Sequence, residues 1–261
     1  MSQGIQYAGE FYLEEALLLS PSGESTNLIT DAQIVEINIF EDIFKFSISG
    51  SIIIADTNDI ITKLPIMGQE RLSLKLSTPS LTEKKDIIDF TENHFMVNRV
   101  NSRIDTSVGN QIYELSFVSP ELVLNNQKRV SKSYVNTKAN IGDIVFDLLA
   151  EDVDGLQTSK EVIVEETVGT RAMICSNSNP FGFIKRLTKE AVSREGSPHY
   201  LFFENKHGYN FKSLQTIFKQ EIRGQFHGGD KGVDEENEVD GSSAKTMQSF
   251  KRMIDYNVKE N

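Results

Sequence analysis

One cysteine, no tryptophan and four histidines leave this chain of 261 residues little material for several kinds of chemistry. A single cysteine, Cys175, cannot close an intramolecular disulfide or build a cysteine-rich zinc site. Its neighbours match no nucleophile motif, so its reading is a small apolar filler. His94, His199, His207 and His227 are scattered. Only His199 and His207 are placed to meet, across a hairpin, and two ligands without a third make a poor zinc site. G-x-S-x-G, phosphate-loop and G-x-G-x-x-G patterns are all missing. Asp56-x-Asn58-Asp59 has the start of a calcium loop but lacks the glycine at its sixth position and the distal glutamate, so helix capping is its reading. Carboxylates are plentiful enough for a hydrolytic pair, but nothing singles out any two. The expectation is therefore no catalytic residue, no metal ligand and no cofactor.

Long apolar runs are also missing. No stretch approaches the 18 residues a membrane-spanning helix needs, so no membrane insertion is expected. The first residues, MSQGIQYAGEFYLEE, lack the basic start and apolar core of a signal peptide. Positive charge is in deficit: Lys and Arg number 27 against 38 Asp and Glu, for a net charge of −11. That balance argues against sequence-independent grip on nucleic acid or on an anionic membrane. An acidic surface repels DNA, which matters if DNA must pass without sticking; solubility is the simpler reading. The chain is expected to stay in a reducing cytosol or in a particle assembled there.

What the sequence has in quantity is β patterning, most strongly over residues 31–55. Val35, Ile37 and Ile39 share one face of a strand, opposed by Glu36 and Asn38. Phe46, Ile48, Ile52 and Ile54 share a face of the next, opposed by Ser47, Ser49 and Ser51. A period of two means one buried and one wet face. Glu41–Lys45 has the length of a hairpin loop. Gly50 interrupts the second apolar face, as a bulge or bend would.

The rest of the first 125 residues continues in kind. FYLEEALLL at 11–19 suits a strand or a helix on pattern alone. Residues 56–65 read as one helical turn, capped by Asp56 or Thr57 and ended by Pro65. Leu72, Leu74 and Leu76 alternate with Arg71, Ser73, Lys75 and Ser77; residues 86–105 hold one long or two short strands; Gly109–Asn110 fits a turn before Tyr113, Leu115 and Phe117. Six or so strands at this spacing predict an all-β barrel or sandwich.

Character changes at Ser119-Pro120. Glu121–Gln127 suits a short helix, and Lys128–Lys138 holds four basic residues. These suit either a contact with an acidic partner or, the preferred reading, a linker. Ile141, Ile144, Val145, Leu148 and Leu149 form one helical stripe with Asn140 as its cap and Gly155 beyond its end. Glu161–Glu165 is a strand. Asn179-Pro180 opens a second helix, striped by Phe183, Ile184, Leu187 and Ala191 and closed by Gly196. His199–Glu204 and Tyr209–Ser213 form a hairpin about Lys206–Gly208. The expected fold class is α+β, mainly β: an antiparallel β-barrel domain over 1–125, a small α+β domain over 126–218, and a flexible acidic linker with an incomplete further element over 219–261. Gly228–Ser243 is too polar to order itself.

Ile39–Phe44 (IFEDIF), Gly50, Asp56, Leu64-Pro65 and Gly68–Glu70 together resemble a pattern of the baseplate hub proteins of contractile-tailed bacteriophages. YELSFVSPELVLNNQKRVSKSY at 113–134, NPFGFIKRLTKEAVS at 179–193 and YLFFENKHGYNFKSL at 200–214 resemble the same family, in matching order, through most of residues 30–216. The resemblance implies a virion protein, assembled in the host cytoplasm: a trimeric ring at the centre of the tail baseplate. In it, tail-tube-type barrels adapt a sixfold tail tube protein to a threefold central spike protein, beside other baseplate proteins, and DNA passes the lumen without specific binding. Residues 1–125 correspond to the first tube-like barrel. The family pattern would continue into a second barrel, so the chain reads as C-terminally truncated or completed by another chain. Alternatives are another tail-tube adaptor or tail-tip protein and, third, a tail-associated cell-wall hydrolase.

Overall fold

A computed structural model describes residues 11–64, 66–78, 86–107, 110–135, 139–150, 155–220, 225–228 and 250–253. The elements run in chain order: β1 (Tyr12–Leu19), β2 (Ser25–Asn27), α1 (Leu28–Asp31), β3 (Gln33–Phe40), β4 (Ser49–Asp56), α2 (Ile60–Lys63), β5 (Arg71–Thr78), β6 (Asp86–Asp89), β7 (Phe95–Ser107), β8 (Asn110–Val118), α3 (Pro120–Gln127), β9 (Val130–Ser133), α4 (Ile141–Ala150), β10 (Glu161–Val164), β11 (Ile174–Ser178), α5 (Pro180–Thr188), β12 (Tyr200–Asn205), β13 (Gly208–Ser213), α6 (Leu214–Phe218), β14 (Gln225–Gly228) and β15 (Phe250–Met253).

The first eight strands form one antiparallel sheet in the order β2-β1-β5-β7-β8-β4-β3, with β6 beside β5. Ala16 and Leu18 of β1, Leu72 and Leu74 of β5, Ile52 and Ile54 of β4, and Leu115 and Phe117 of β8 belong to one buried cluster. Strands far apart in the sheet order share a core only if the sheet curls over on itself. It is nevertheless open: among the described residues no pairing joins β3 to β1 or β2, and β5 meets β7 only at Arg71–Met96 and Leu72–Phe95. The architecture is thus mainly β within an α+β chain, with barrel closure absent among the described residues.

A second cluster gathers α4, α5, β12, β13, Val130, Met173 and Cys175. Here β12 and β13 form the expected hairpin, Tyr200 pairing with Ser213 and Asn205 with Gly208, and β10 joins β13 in parallel. The stripes Ile141, Ile144, Val145, Leu148, Leu149 and Phe183, Ile184, Leu187, Ala191 are all buried, as their period requires. Asn140 caps α4 reciprocally with Asp143: the Asp143 N–H donates to Asn140 Oδ1 at 2.9 Å and the Asn140 N–H to Asp143 Oδ2 at 3.1 Å.

Several expectations are corrected. Phe46 does not join Ile48, Ile52 and Ile54. It lies in the loop before β4, against Phe181 and Phe202 of the second core, with ring centroids 5.9 and 5.8 Å away. Gly50 is not bulged; it pairs regularly with Ile39 and Phe117, and glycine is required because a Cβ there would lie 2.3 Å from the Phe117 ring and from the Asn38 carbonyl oxygen. The bulge falls in β3 between Ile34 and Glu36, which turns Val35 out of line with Ile37 and leaves it 58% exposed. Lys128–Lys138 is no linker. Its described part contains β9, paired with β11, and two of its cations are engaged within the fold: Lys128 Nζ donates to the Gly155 carbonyl at 2.5 Å and Lys132 Nζ to Asp147 at 2.9 Å. Asn179 precedes α5 without a side-chain capping bond; the Phe181 N–H donates instead to Asn125 Oδ1 of α3 at 2.8 Å. Gly196 sits in a turn well beyond the end of α5 at Thr188, not at it.

Residues 218–261 form a separate unit, in which β14 and β15 pair in parallel. Residues 229–249 of the expected linker, like Pro65, Gly109 and Lys138, lie outside the described residues.

Candidate interface surfaces

Two carboxylates and one amine meet where the two cores adjoin. Lys160 Nζ lies 2.7 Å from Glu121 Oε2 and 2.6 Å from Glu204 Oε1, and all three side chains are buried. Glu204 alternates with Phe202 and Tyr200 on the core face of β12, which forces a charge inward. Its other oxygen accepts the Ile48 N–H at 2.8 Å, and Ser119 Oγ donates to Oε1 at 2.9 Å. Thr158 Oγ1 donates to Glu121 at 2.7 Å, and Lys160 Nζ sits 5.7 Å over the Tyr209 ring. Burial pushes the Glu204 carboxyl above the usual glutamate range, and the Lys160 charge opposes that shift. The Tyr209 hydroxyl is likewise held well above its ordinary value by burial. Both acids are thus occupied by hydrogen bonds and a counter-charge. The arrangement locks the loop before β4 and the end of β8 to the second core.

A cleft of about 990 Å³ opens above this junction, lined among others by Arg71, His94, Glu121, Gln157 and Lys160. Its rim carries the loop before β5. Glu70, fully buried, accepts the N–H groups of Met67, Gly68 and Gln69 at 2.7, 2.8 and 3.1 Å, which fixes a turn that presents Met67 73% exposed. Gly68 adopts a φ of +87°, which explains a glycine at this point.

The face of β3, β4, β8 and β7 turned away from the first core is polar. Asn38 Nδ2 donates to Glu36 at 2.8 Å and to Ser51 at 3.5 Å, and Asn101 Nδ2 to Ser116 at 2.8 Å. Beside it the end of β3 and the loop after it expose Phe40, Ile43 and Phe44, the last at 73%. A turn in which the Phe44 N–H donates to Asp42 Oδ1 at 2.8 Å holds this apolar knob out.

The histidines are not brought together. His199 and His207 stand at opposite ends of the β12–β13 hairpin, since Tyr200 pairs with Ser213 and Asn205 with Gly208; that correction removes the one pair the spacing allowed. Among the described residues no group of three His, Cys, Asp or Glu side chains is placed to hold a metal ion, and no helix is long and apolar enough to cross a membrane. The N-cap position of α2 is Asp59, not Asp56 or Thr57, but the Asp56 carboxylate does accept the first helical N–H, that of Ile60, at 2.7 Å, and the Asn58 N–H at 3.0 Å. Cys175 is buried in the second core. The Lys160 cluster was missed by sequence reasoning; its one signal is an acid within the aromatic run YLFFEN.

No family model matches the sequence, and no curated protein matches it. Among solved structures the chain is similar to a tail protein from Neisseria meningitidis MC58, at a TM-score of 0.51 and 9% identity over 84% of this chain and 56% of that one. It also matches a 43 kDa tail protein of prophage MuSo2 from Shewanella oneidensis (TM-score 0.49, 12% identity, 85% and 59%). A third match is the E. coli c3393 protein, a component of the type VI secretion system (0.48, 13%, 83% and 52%). The last two fall below 0.5 and add nothing to the inference. The chain spans between half and three fifths of the length of these structures. At this identity the first likeness establishes architecture alone: the chain has the fold of a tail protein.

Proposed function

We propose that this chain is a structural subunit of a phage-type tail baseplate: a central hub that forms a trimeric ring, joins the tail tube to the central spike and lets DNA through. The observation that carries the reading is the tail-protein fold, found in the chain whose motifs resemble baseplate hubs. In this reading the first core, within 1–125, is a tube-type barrel unit that neighbouring copies complete. The second core, within 126–218, is the α+β domain, and 219–261 leads into a further tube-like domain. The polar face of Asn38, Ser51, Ser116 and Asn101 suits a lumen, because its hydroxyls and amides hold phosphates weakly and Glu36 and Glu114 beside them repel them. The net charge of −11 acts in the same direction. The mechanism is geometric: faces dock tube and spike, and the Lys160 cluster keeps the two cores in fixed relation. No enzymatic activity is assigned.

The test is the symmetry of this protein within an assembled particle, seen by electron microscopy. Three copies around the tail axis between tube and spike support the hub. Six copies point to a tube or adaptor protein, and a peripheral position removes both. A cell-wall hydrolase is the remaining reading; release of soluble peptidoglycan fragments, lost on replacing Glu121 or Glu204, would favour it.

A further inference from the structure

We propose that the cleft beside α3 captures the carboxyl-terminal end of a partner polypeptide, with Arg71 and His94 holding its carboxylate and Leu19, Met96 and Leu124 receiving its last apolar side chains. The inference does not depend on how many copies surround a tail axis. The sheet builds the floor. Leu19 of β1, Arg71 of β5 and Met96 of β7 are direct cross-strand neighbours. Leu18, Leu72 and Phe95, one step along each strand, belong to the first core, so this row points the other way, into the cleft. Neighbouring strands lie about 4.8 Å apart, so both apolar side chains flank Arg71. The rest of the wall comes from α3 and the segment before β10, with Val123, Leu124, Gln127 and Ser159. His94, just before β7, lines the same space.

Two basic side chains stand here without a partner. Among the described residues neither Arg71 nor His94 has a hydrogen bond or an ion pair. The nearest attraction on His94 comes from Glu15, which is engaged by the Ser73 hydroxyl. Burial first, and the Arg71 charge second, hold the imidazole below its ordinary value, so it gains a proton when an anion arrives. Glu92, exposed in the lining, repels further negative charge. The site therefore suits one carboxylate and disfavours a polyanion such as DNA. Ser159 Oγ donates to Asn93 Oδ1 at 3.3 Å, which leaves the Asn93 amide N–H groups for a ligand. Such amides serve a peptide backbone, whereas an alkyl carboxylate has no use for them. A chain end carries its carboxylate and an apolar side chain on one carbon, which matches a guanidinium set between Leu19 and Met96.

The experiment uses the full chain and a pool of fluorescein-labelled peptides, random in sequence but ending in leucine, read by fluorescence anisotropy. The pool is made with a free terminal carboxylate and, separately, as the terminal amide. The free acid is expected to bind about tenfold or more tightly than the amide, the factor that a charge-assisted contact contributes. Arg71→Gln should remove that preference. Arg71 is exposed, so a thermal melt matching the parent's shows that the variant keeps its fold. On the parent, NMR follows the His94 ring, assigned by its loss in His94→Gln, through a pH titration with and without the free-acid pool. Its titration should move upward in the bound state, because the carboxylate favours the charged imidazole. Equal binding of acid and amide, a preference that survives Arg71→Gln, or a His94 titration that stays in place overturns the site. Displacement of the peptides by octanoate at equal concentration overturns the choice of a polypeptide end and points to a free alkyl carboxylate.

Discussion

The backbone N–H of Ile48 donates to the Glu204 carboxylate at 2.8 Å, across 156 positions of sequence. Ile48 belongs to the first core and Glu204 to the second. Two residues before Ile48, Phe46 has crossed into the second core. The loop between β3 and β4 is therefore a hinge pin as well as a hairpin turn. A buried carboxylate and an aromatic contact hold it at two points near its β4 end.

Removing the shared cation should expose how much that pin depends on charge. Lys160→Met leaves Glu121 and Glu204 buried without their counter-charge, and stripping one partner from a buried ion pair costs about 3–5 kcal/mol. Urea unfolding should show a loss of that size, and adding Glu204→Gln to the same chain should recover part of it. A Lys160→Met chain as stable as its parent would show the cluster to be solvated.

The pH dependence follows from the direction of the Glu204 shift. Its carboxyl is raised in the folded state, by burial first. The folded state therefore holds the proton more tightly than the unfolded one, so the contribution is fully present below the ordinary glutamate value and is lost as pH rises through the raised one. Lys160 opposes that loss by favouring the ionised form. The stability gap between parent and Lys160→Met should accordingly widen from about pH 4 to pH 7. A constant or shrinking gap in melts across that range would contradict the assignment.

Gly50 is held by contact. A Cβ would meet the Phe117 ring and the Asn38 carbonyl oxygen, both at 2.3 Å. Gly50→Ala should cost about 1–3 kcal/mol or more in chemical denaturation. Adding Phe117→Leu should relieve only the ring contact, so recovery should be partial; full recovery would mean the Asn38 backbone yields freely.

Ile52 and Phe44 make a contrasting pair only a few residues apart. Ile52 is fully buried in the first core, and Ile52→Ala should cost about 2–5 kcal/mol. Phe44 is 73% exposed, and Phe44→Ala should stay within about 0.5 kcal/mol. A large stability loss at Phe44 would show that the knob is part of a core rather than free for a partner.

Local pattern alone sufficed where one periodicity met one environment. The stripe from Ile141 to Leu149, the alternation of Leu72 and Leu74, and the hairpin about Lys206–Gly208 were legible because burial repeats with the element's own period. Asn140 was legible as a cap because its partner, Asp143, is three residues away. Phe46 continues the alternation of Ile48, Ile52 and Ile54, yet the strand has not begun there, and only the placement of Phe181 and Phe202 decides where its ring goes. Val35 left its face because one inserted residue breaks a period of two, and composition does not mark a bulge. The Glu121, Lys160 and Glu204 cluster and the Asn125 cap on α5 belong to tertiary structure entirely. Their partners lie tens of residues apart, and a buried charge becomes tolerable only when the fold delivers its counter-charge.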